Sequence, residues 1–331
     1  MWAPGCFGQT FKNNMKFQAK RISKVDPDKI IYKKYGERYL TYRKLWSSIS
    51  REHVPDFPPH IDFELFDKCN QSCVMCARNE KLHPNIEYSI NTKTRFPIDL
   101  FKKIIDEGKT KNLYSVNFGA FAEPFVNPEC LNMVRYAHDQ GIVDSRLITN
   151  GLLLGKNSSE IFMSGLTQLF ISVDALTEKT YEKIRGKGFQ HVVQNTIHFL
   201  EERSKRKTQL PIVRVSFVEM EMNKNEKDDF IKFWADKADF IDIQTFQNEN
   251  EKIGENLKQN KKFDCDSPFG RISVLSDGSV IPCCNFYGRT LKIGNAFHQT
   301  IEDIWKSEKM SDVRKKLISG TNTTCETCQR A

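Results

Sequence analysis

The chain has 331 residues, 39% hydrophobic and 11% aromatic, with a net charge of +8; that length suits one domain of about 200 residues and a smaller one. No apolar run approaches the roughly 20 residues of a membrane helix, and the opening Met1-Trp2-Ala3-Pro4-Gly5-Cys6 has no signal-peptide core, so a cytoplasmic protein with no membrane partner is expected. The basic residues are scattered rather than interleaved with aromatics, which argues against a nucleic-acid partner and leaves a solvated surface or a field that steers an anionic substrate.

Residues 1–57 read as an N-terminal extension with helical patches such as 40–49, ended by Pro55, Pro58 and Pro59. From His60 onward, strand-like runs at 61–66, 113–118, 145–149, 168–173, 212–218 and 240–246 alternate with helical patterns at 98–107, 128–140, 158–164, 192–203 and 226–238. This alternation predicts a parallel sheet with crossover helices. Six units suit an open, partial (β/α)6 barrel over residues 58–247, since a closed eight-unit barrel takes about 250 residues. The charged stretch 247–262 reads as a linker. A last domain, 248–331, then opens with a hairpin, 271–275 and 280–282 about the Asp277-Gly278 turn, and continues with one amphipathic helix over 300–317.

Ten cysteines in a reducing compartment are not a disulfide framework. They cluster at 69, 73 and 76, at 265, 283 and 284, and at 325 and 328, with Cys6 and Cys130 alone; such clustering points to metal or iron–sulfur ligation. The first set stands in Asp67-Lys68-Cys69-Asn70-Gln71-Ser72-Cys73-Val74-Met75-Cys76, a C-x3-C-x2-C run directly after the first strand. That is the carboxyl end of a strand, where parallel α/β sheets place their sites. Three thiolates can hold a [4Fe–4S] cube by three irons and leave the fourth open. A zinc site would prefer paired knuckles with four ligands, and no fourth is evident nearby.

This pattern resembles the radical S-adenosylmethionine (radical SAM) superfamily. The resemblance implies S-adenosylmethionine chelated at the open iron, one-electron cleavage to a 5′-deoxyadenosyl radical, and a flavodoxin- or ferredoxin-type electron donor. Asn117-Phe118-Gly119-Ala120-Phe121-Ala122-Glu123-Pro124 is similar to the family's glycine-rich segment, although Ala120 and Ala122 stand where glycine is common. By that likeness Gly119 and Glu123 would hold the methionine amine. Asn150, in Thr149-Asn150-Gly151, and Ser172, at the end of the fourth strand, would also meet the cofactor. Arg185 would pair with its carboxylate, and Ser216 would approach the nucleoside.

Cys265, twelve residues, Gly278, four residues and Cys283, followed by Cys325-Glu326-Thr327-Cys328, resemble the SPASM/twitch auxiliary domain. Gly294-Asn295 and Ile301-Glu302-Asp303-Ile304-Trp305 match its intervening segment. The likeness implies a second [4Fe–4S] cluster on Cys265, Cys283, Cys325 and Cys328, with Cys284 able to replace Cys283 and a four-cysteine zinc site as the alternative. With only four such cysteines, the chain resembles the one-cluster members, typified by the 2-deoxy-scyllo-inosamine dehydrogenase.

The implied activity is hydrogen abstraction from a small carbohydrate- or aminocyclitol-like substrate. It ends in dehydrogenation, with the second cluster as electron acceptor, or in epimerisation, with Cys284 or Cys130 as hydrogen donor. A peptide or sulfatase maturase is the alternative, for which residues 1–57 look short as a leader-binding module. A non-catalytic electron carrier would have no need of the methionine pocket. Glu219 and Gln244, near the ends of the fifth and sixth strands, are candidate substrate-facing residues, and no general base is named.

Overall fold

A computed structural model describes residues 19–79, 93–246 and 265–325. Ten strands make one open sheet in the order β1-β7-β6-β5-β4-β3-β2-β8-β9-β10. The six expected strands are its middle: β2 (His60–Phe63), β3 (Ser115–Phe118), β4 (Asp144–Thr149), β5 (Gln168–Ser172), β6 (Ile212–Glu219) and β7 (Phe240–Thr245). All six are parallel and adjacent in chain order. The partial α/β barrel read from the sequence is therefore present.

Its edges were not foreseen. Ahead of β2, β1 (Ala19–Ser23) pairs antiparallel with β7. Its sequence Ala-Lys-Arg-Ile-Ser has one strong apolar residue and carries no strand signal of its own. Helices α1 (Pro27–Tyr35) and α2 (Glu37–Ser48) follow. Asp26 caps α1, its side chain accepting from the N–H groups of Asp28 and Lys29. Ile31, Tyr39 and Tyr42 pack against Tyr114, Val143, Ile212 and Phe240, at the amino ends of strands β3, β4, β6 and β7. The N-terminal helices thus cover the end of the barrel opposite the cysteine loop.

At the other edge β8 (Arg271–Val274) pairs parallel with β2 and turns into β9 (Ser279–Ile281), which pairs with β10 (Gly294–Asn295). The expected hairpin is there, and Gly278 makes its turn at φ +76°. The C-terminal segment therefore continues the barrel's own sheet.

The crossover helices are α3 (Ile98–Lys109), α4 (Cys130–Asp139), α5 (Leu154–Met163), α7 (Phe189–Lys205) and α8 (Lys227–Trp234). A short α6 (Glu178–Ile184), absent from the sequence reading, precedes α7. It has two buried residues, Tyr181 and Ile184, too few for a helical period, and is started by the Thr177 cap. Ser267–Gly270 form a single turn, α9.

The helix expected over 300–317 is two: α10 (Ile301–Trp305) and α11 (Glu308–Ser319). Ser307 breaks it, because its hydroxyl accepts from the N–H of Met310 and starts a new helix. The linker 247–262, Cys6 and Cys328 lie outside the described residues.

Strand residues alternate between two faces. Ile61, Phe63, Val116, Phe118, Leu147, Leu169, Ile171, Val213, Val215, Phe217 and Ile241 join the main core under the helices. The other set faces inward and is mostly polar: His60, Asp62, Ser115, Asn117, Asp144, Arg146, Gln168, Ser172, Arg214, Ser216, Asp242 and Gln244, with Arg271 and Ser273 of β8. No helix among the described residues is long and apolar enough to cross a membrane.

Candidate cluster and cofactor site

After β2 the chain stays extended to Phe66, which bridges Arg95, and turns at Asp67 into the cysteine loop. Two tight turns shape that loop, with Cys76 N–H donating to the Cys73 carbonyl and Asn79 N–H to that of Cys76. It is docked on α6: Val74 N–H donates to the Ile184 carbonyl at 2.9 Å, and Gln71 Nε2 to the Tyr181 hydroxyl at 3.0 Å.

Cys69, Cys73 and Cys76 form no disulfide and are partly exposed, and they lie close enough for Cys76 and Cys69 to act on the Cys73 charge. Burial pushes the Cys73 thiol up to about 12, against the pull of Arg185, whose Nη1 stands 3.7 Å from the sulfur. Soft thiolates suit iron–sulfur chemistry, and a thiolate-held cluster, net negative, is compatible with a guanidinium at its edge. Ligation to the positive irons would displace, to solvent, the proton that burial keeps on Cys73. Among the described residues no three such side chains enclose a single ion, and a cubane, held corner by corner, does not require it. The residues present fit the cluster.

Arg185 is buried, not a surface charge, and it does not wait free for a carboxylate. Its Nε donates to Asp174 Oδ2 at 2.6 Å and Nη2 pairs with the same oxygen. Burial pulls its pKa down, but Asp174, and Cys73 behind it, hold it above its ordinary value. Asp174 sits at φ +62°, a left-handed conformation, fully buried. Its Oδ1 accepts from Val218 N–H at 2.7 Å and its carbonyl from Asn223 Nδ2 at 2.9 Å. Strain held by surrounding bonds is common at functional sites.

Gly119 follows β3 at φ +92°, and a Cβ there would stand 2.4 Å from the Ile148 carbonyl, so glycine is required. Glu123, 3% exposed, binds the next loop: it accepts from Thr149 Oγ1 at 2.8 Å, Asn150 N–H at 2.7 Å and Phe125 N–H at 3.2 Å. Asn150 in turn donates through Nδ2 to Asn70 Oδ1 at 2.7 Å, beside Cys69. Glu123 and Asn150 are thus joined to the cysteine loop by one chain of bonds, and Gly119 lies against the Ile148 carbonyl of β4. Ser172 and Ser216 face each other across β5 and β6.

Burial pushes the Glu123 carboxyl up to about 7, opposed first by the Asn150 N–H and the Thr149 hydroxyl. A raised acid stabilises the fold while protonated. That contribution is whole below the ordinary value of 4.5 and is lost as pH rises through about 7. Glu123→Gln never charges. Apart from a constant offset for the bond an amide cannot accept, its stability relative to wild type should gain about 3 kcal/mol between about pH 4 and pH 8. Urea unfolding at several pH values would show it, and parallel curves would refute it.

The substrate-facing candidates are not brought together. Glu219 ends β6 and is tied to Lys227 Nζ at 2.6 Å, whereas Gln244 lies on β7 opposite Val218 and Ala19. Cys130 begins α4 at 2% exposure in the core, with its thiol pushed well up by burial.

In the C-terminal segment, Gly288 packs on Cys283, since a Cβ there would lie 2.5 Å from Cys283 Sγ. Burial pushes Cys325 up to about 11, with the nearby Cys265 adding to it. Burial pushes the Cys284 thiol up, opposed by Arg271, whose Nη1 donates to its sulfur at 3.3 Å, and Cys265 lies near enough to act on it as well.

Sequence reasoning missed the charges of the inner face. Asp62 accepts from Asn117 Nδ2 at 2.8 Å and pairs with His60 and Arg271. Asp144 holds Arg146 and Gln168, and Asp242 holds Arg21 and Arg214. Burial would raise Asp62, but His60 and Arg271 keep it below the carboxylate range, while burial lowers His60. The signal was present in His60-Ile61-Asp62-Phe63-Glu64, whose alternation sets every polar residue on one face.

The radical SAM superfamily matches residues 63–220, and SPASM, an iron–sulfur cluster-binding domain, matches 265–329. A tungsten-containing aldehyde ferredoxin oxidoreductase cofactor-modifying protein of Pyrococcus furiosus is 24% identical over 321 residues, 81% of this chain and 86% of that one. Among solved structures, BtrN in complex with AdoMet and 2-DOIA superposes with a TM-score of 0.57 at 18% identity, over 82% of this chain and 93% of that one. SuiB of Streptococcus suis bound to precursor peptide SuiA gives 0.61 at 14%, over 84% and 72%.

Proposed function

Since the chain belongs to the radical SAM superfamily and carries a SPASM iron–sulfur domain, we propose that it dehydrogenates a small polar alcohol, carbohydrate- or aminocyclitol-like, with an auxiliary cluster taking the surplus electron. When bound, the [4Fe–4S] cluster and S-adenosylmethionine supply a 5′-deoxyadenosyl radical able to take hydrogen from an unactivated carbon. Cys69, Cys73 and Cys76 hold the cluster, and Arg185, fixed by Asp174, balances charge beside Cys73. Gly119 lets its loop approach β4, Glu123 meets the cationic amine, and Asn150, Ser172 and Ser216 offer hydrogen bonds along the cofactor. Cys265, Cys283, Cys325 and Cys328 hold the auxiliary cluster.

The observation that carries a small polar substrate is the inner face of the barrel. It presents hydrogen-bonding side chains in successive layers, and the Arg214 Nε and Asn117 Oδ1 atoms on it are buried with no partner among the described residues. A hydroxylated molecule can satisfy such groups; an apolar one would leave them unpaired. For the epimerase variant, Cys284, beside Arg271, is better placed than the core residue Cys130. A peptide maturase is the second reading, and likeness of fold to SuiB agrees with it as well as likeness to BtrN agrees with the first.

Product mass after anaerobic turnover with candidate cyclitols separates them. Loss of two hydrogens means dehydrogenation, and unchanged mass with solvent deuterium uptake means epimerisation. Turnover of a precursor peptide alone would overturn the small-molecule reading. Replacing Cys265 and Cys328 together should lower iron from about eight to about four atoms per chain, measured after reconstitution. Unchanged iron would remove the auxiliary cluster from these residues.

A further inference from the structure

Glu64 directly follows β2 and is 1% exposed. Its carboxylate receives one arginine from each cysteine-bearing segment. Arg78, two residues past Cys76, reaches Oε1 through Nη1 at 3.5 Å, and Arg289, next to the Gly288 that packs on Cys283, donates to Oε1 at 2.7 Å and to Oε2 at 3.5 Å. The N–H and hydroxyl of Ser276, at the hairpin turn, both donate to Oε2 at 3.1 Å. Arg78 also pairs with Asp67 at 2.7 Å, and the four charged side chains are between 0% and 6% exposed.

Around them, Ala77 of the cysteine loop, Phe121 of the Gly119 loop, and Leu275 and Ile281 of the hairpin form one apolar cluster. The Arg289 guanidinium lies over the Phe121 ring at 5.4 Å. Among the described residues, two guanidiniums and two carboxylates meet in a buried space where three loops come together.

We propose that Glu64 is the electrostatic tie between the two cluster sites, a positioning residue whose carboxylate, shared by Arg78 and Arg289, sets the reduction potentials of both clusters. This rests on the assignment of the two clusters made above. Adding an electron makes a cluster more negative, so a positive charge nearby raises its potential and a negative one lowers it. In a dry interior such a charge acts over a longer range than in water. Glu64→Gln keeps the shape and makes the charge between the sites one unit more positive than in wild type. Arg289→Gln makes it one unit more negative next to the Cys283 segment. The double variant restores the wild-type charge.

Potentiometric titration followed by electron paramagnetic resonance, on the full chain reconstituted anaerobically, reads both clusters. Glu64→Gln should raise both potentials, Arg289→Gln should lower the auxiliary one, and the double variant should return it close to wild type. If Glu64→Gln alone fails to hold iron, the Arg289→Gln shift and its cancellation in the double variant decide the matter. Unchanged potentials, shifts of the same sign in both single variants, or loss of both clusters from all three variants would overturn the proposal and leave Glu64 a folding residue. Wild-type iron of about four atoms per chain, or zinc in place of iron, would instead overturn the two-cluster assignment.

Discussion

Replacing Cys73 by alanine is expected to abolish formation of 5′-deoxyadenosine and to remove about four of about eight irons per chain. Cys73 is the middle thiol of the loop, where Cys69 and Cys76 act on it and Arg185 faces its sulfur. Without it two thiols remain for a cube that already has one iron without a protein ligand. A second bare iron would be open to water and to loss. The Arg185 guanidinium would also lose its anionic neighbour while staying fixed on Asp174. The change removes one small side chain from a loop whose backbone bonds run through Val74, Cys76 and Asn79, so the fold should survive. Circular dichroism should match wild type while product and half the iron are gone. Persistent 5′-deoxyadenosine would mean that Cys73 is not a ligand.

How much of this was legible beforehand follows from what each feature needs. The six parallel strands could be read because each carries apolar residues at alternate positions and stands next to an amphipathic helix. The cysteine loop could be read because spacing alone carries its chemistry. Strand β1 could not: Lys20 and Arg21 give it no apolar alternation, and it exists by pairing with β7 and by Arg21 binding Asp242. Nor could the break at Ser307 be read against the apolar period of residues 300–317, since one hydroxyl cap decides it.

At the site, Arg185 and Glu123 were visible as residues, but their partners were not. Arg185 pairs with Asp174 and faces Cys73, and Glu123 accepts from Thr149 and Asn150. These pairings join residues of different loops, 11 to 112 positions apart, so motif spacing carries no trace of them. Glu64 is the extreme case. It looks like the polar end of a strand, and its partners Arg78, Ser276 and Arg289 come from two segments separated by roughly half the sequence.

Asp174→Asn should destabilise the fold by about 3–5 kcal/mol, the cost of leaving a buried charge without its counter-ion. Asparagine tolerates the left-handed conformation at φ +62° nearly as well as aspartate, so backbone strain does not account for the loss. What remains is Arg185, buried and paired with one anion fewer, and a Val218 N–H that the amide satisfies in only one of its two orientations. Asp174→Ala adds the strain and should cost more. Because Arg185 is the cation beside Cys73, the same substitution reaches the chemistry. A guanidinium freed from Asp174 can swing toward the sulfur or away, and either motion changes the charge felt by the first cluster. Urea unfolding of Asp174→Asn, with 5′-deoxyadenosine release measured well below the unfolding midpoint, separates the two effects. A loss under about 1 kcal/mol would mean that water or another carboxylate satisfies Arg185, and Asp174 would no longer be what fixes it beside the cluster loop.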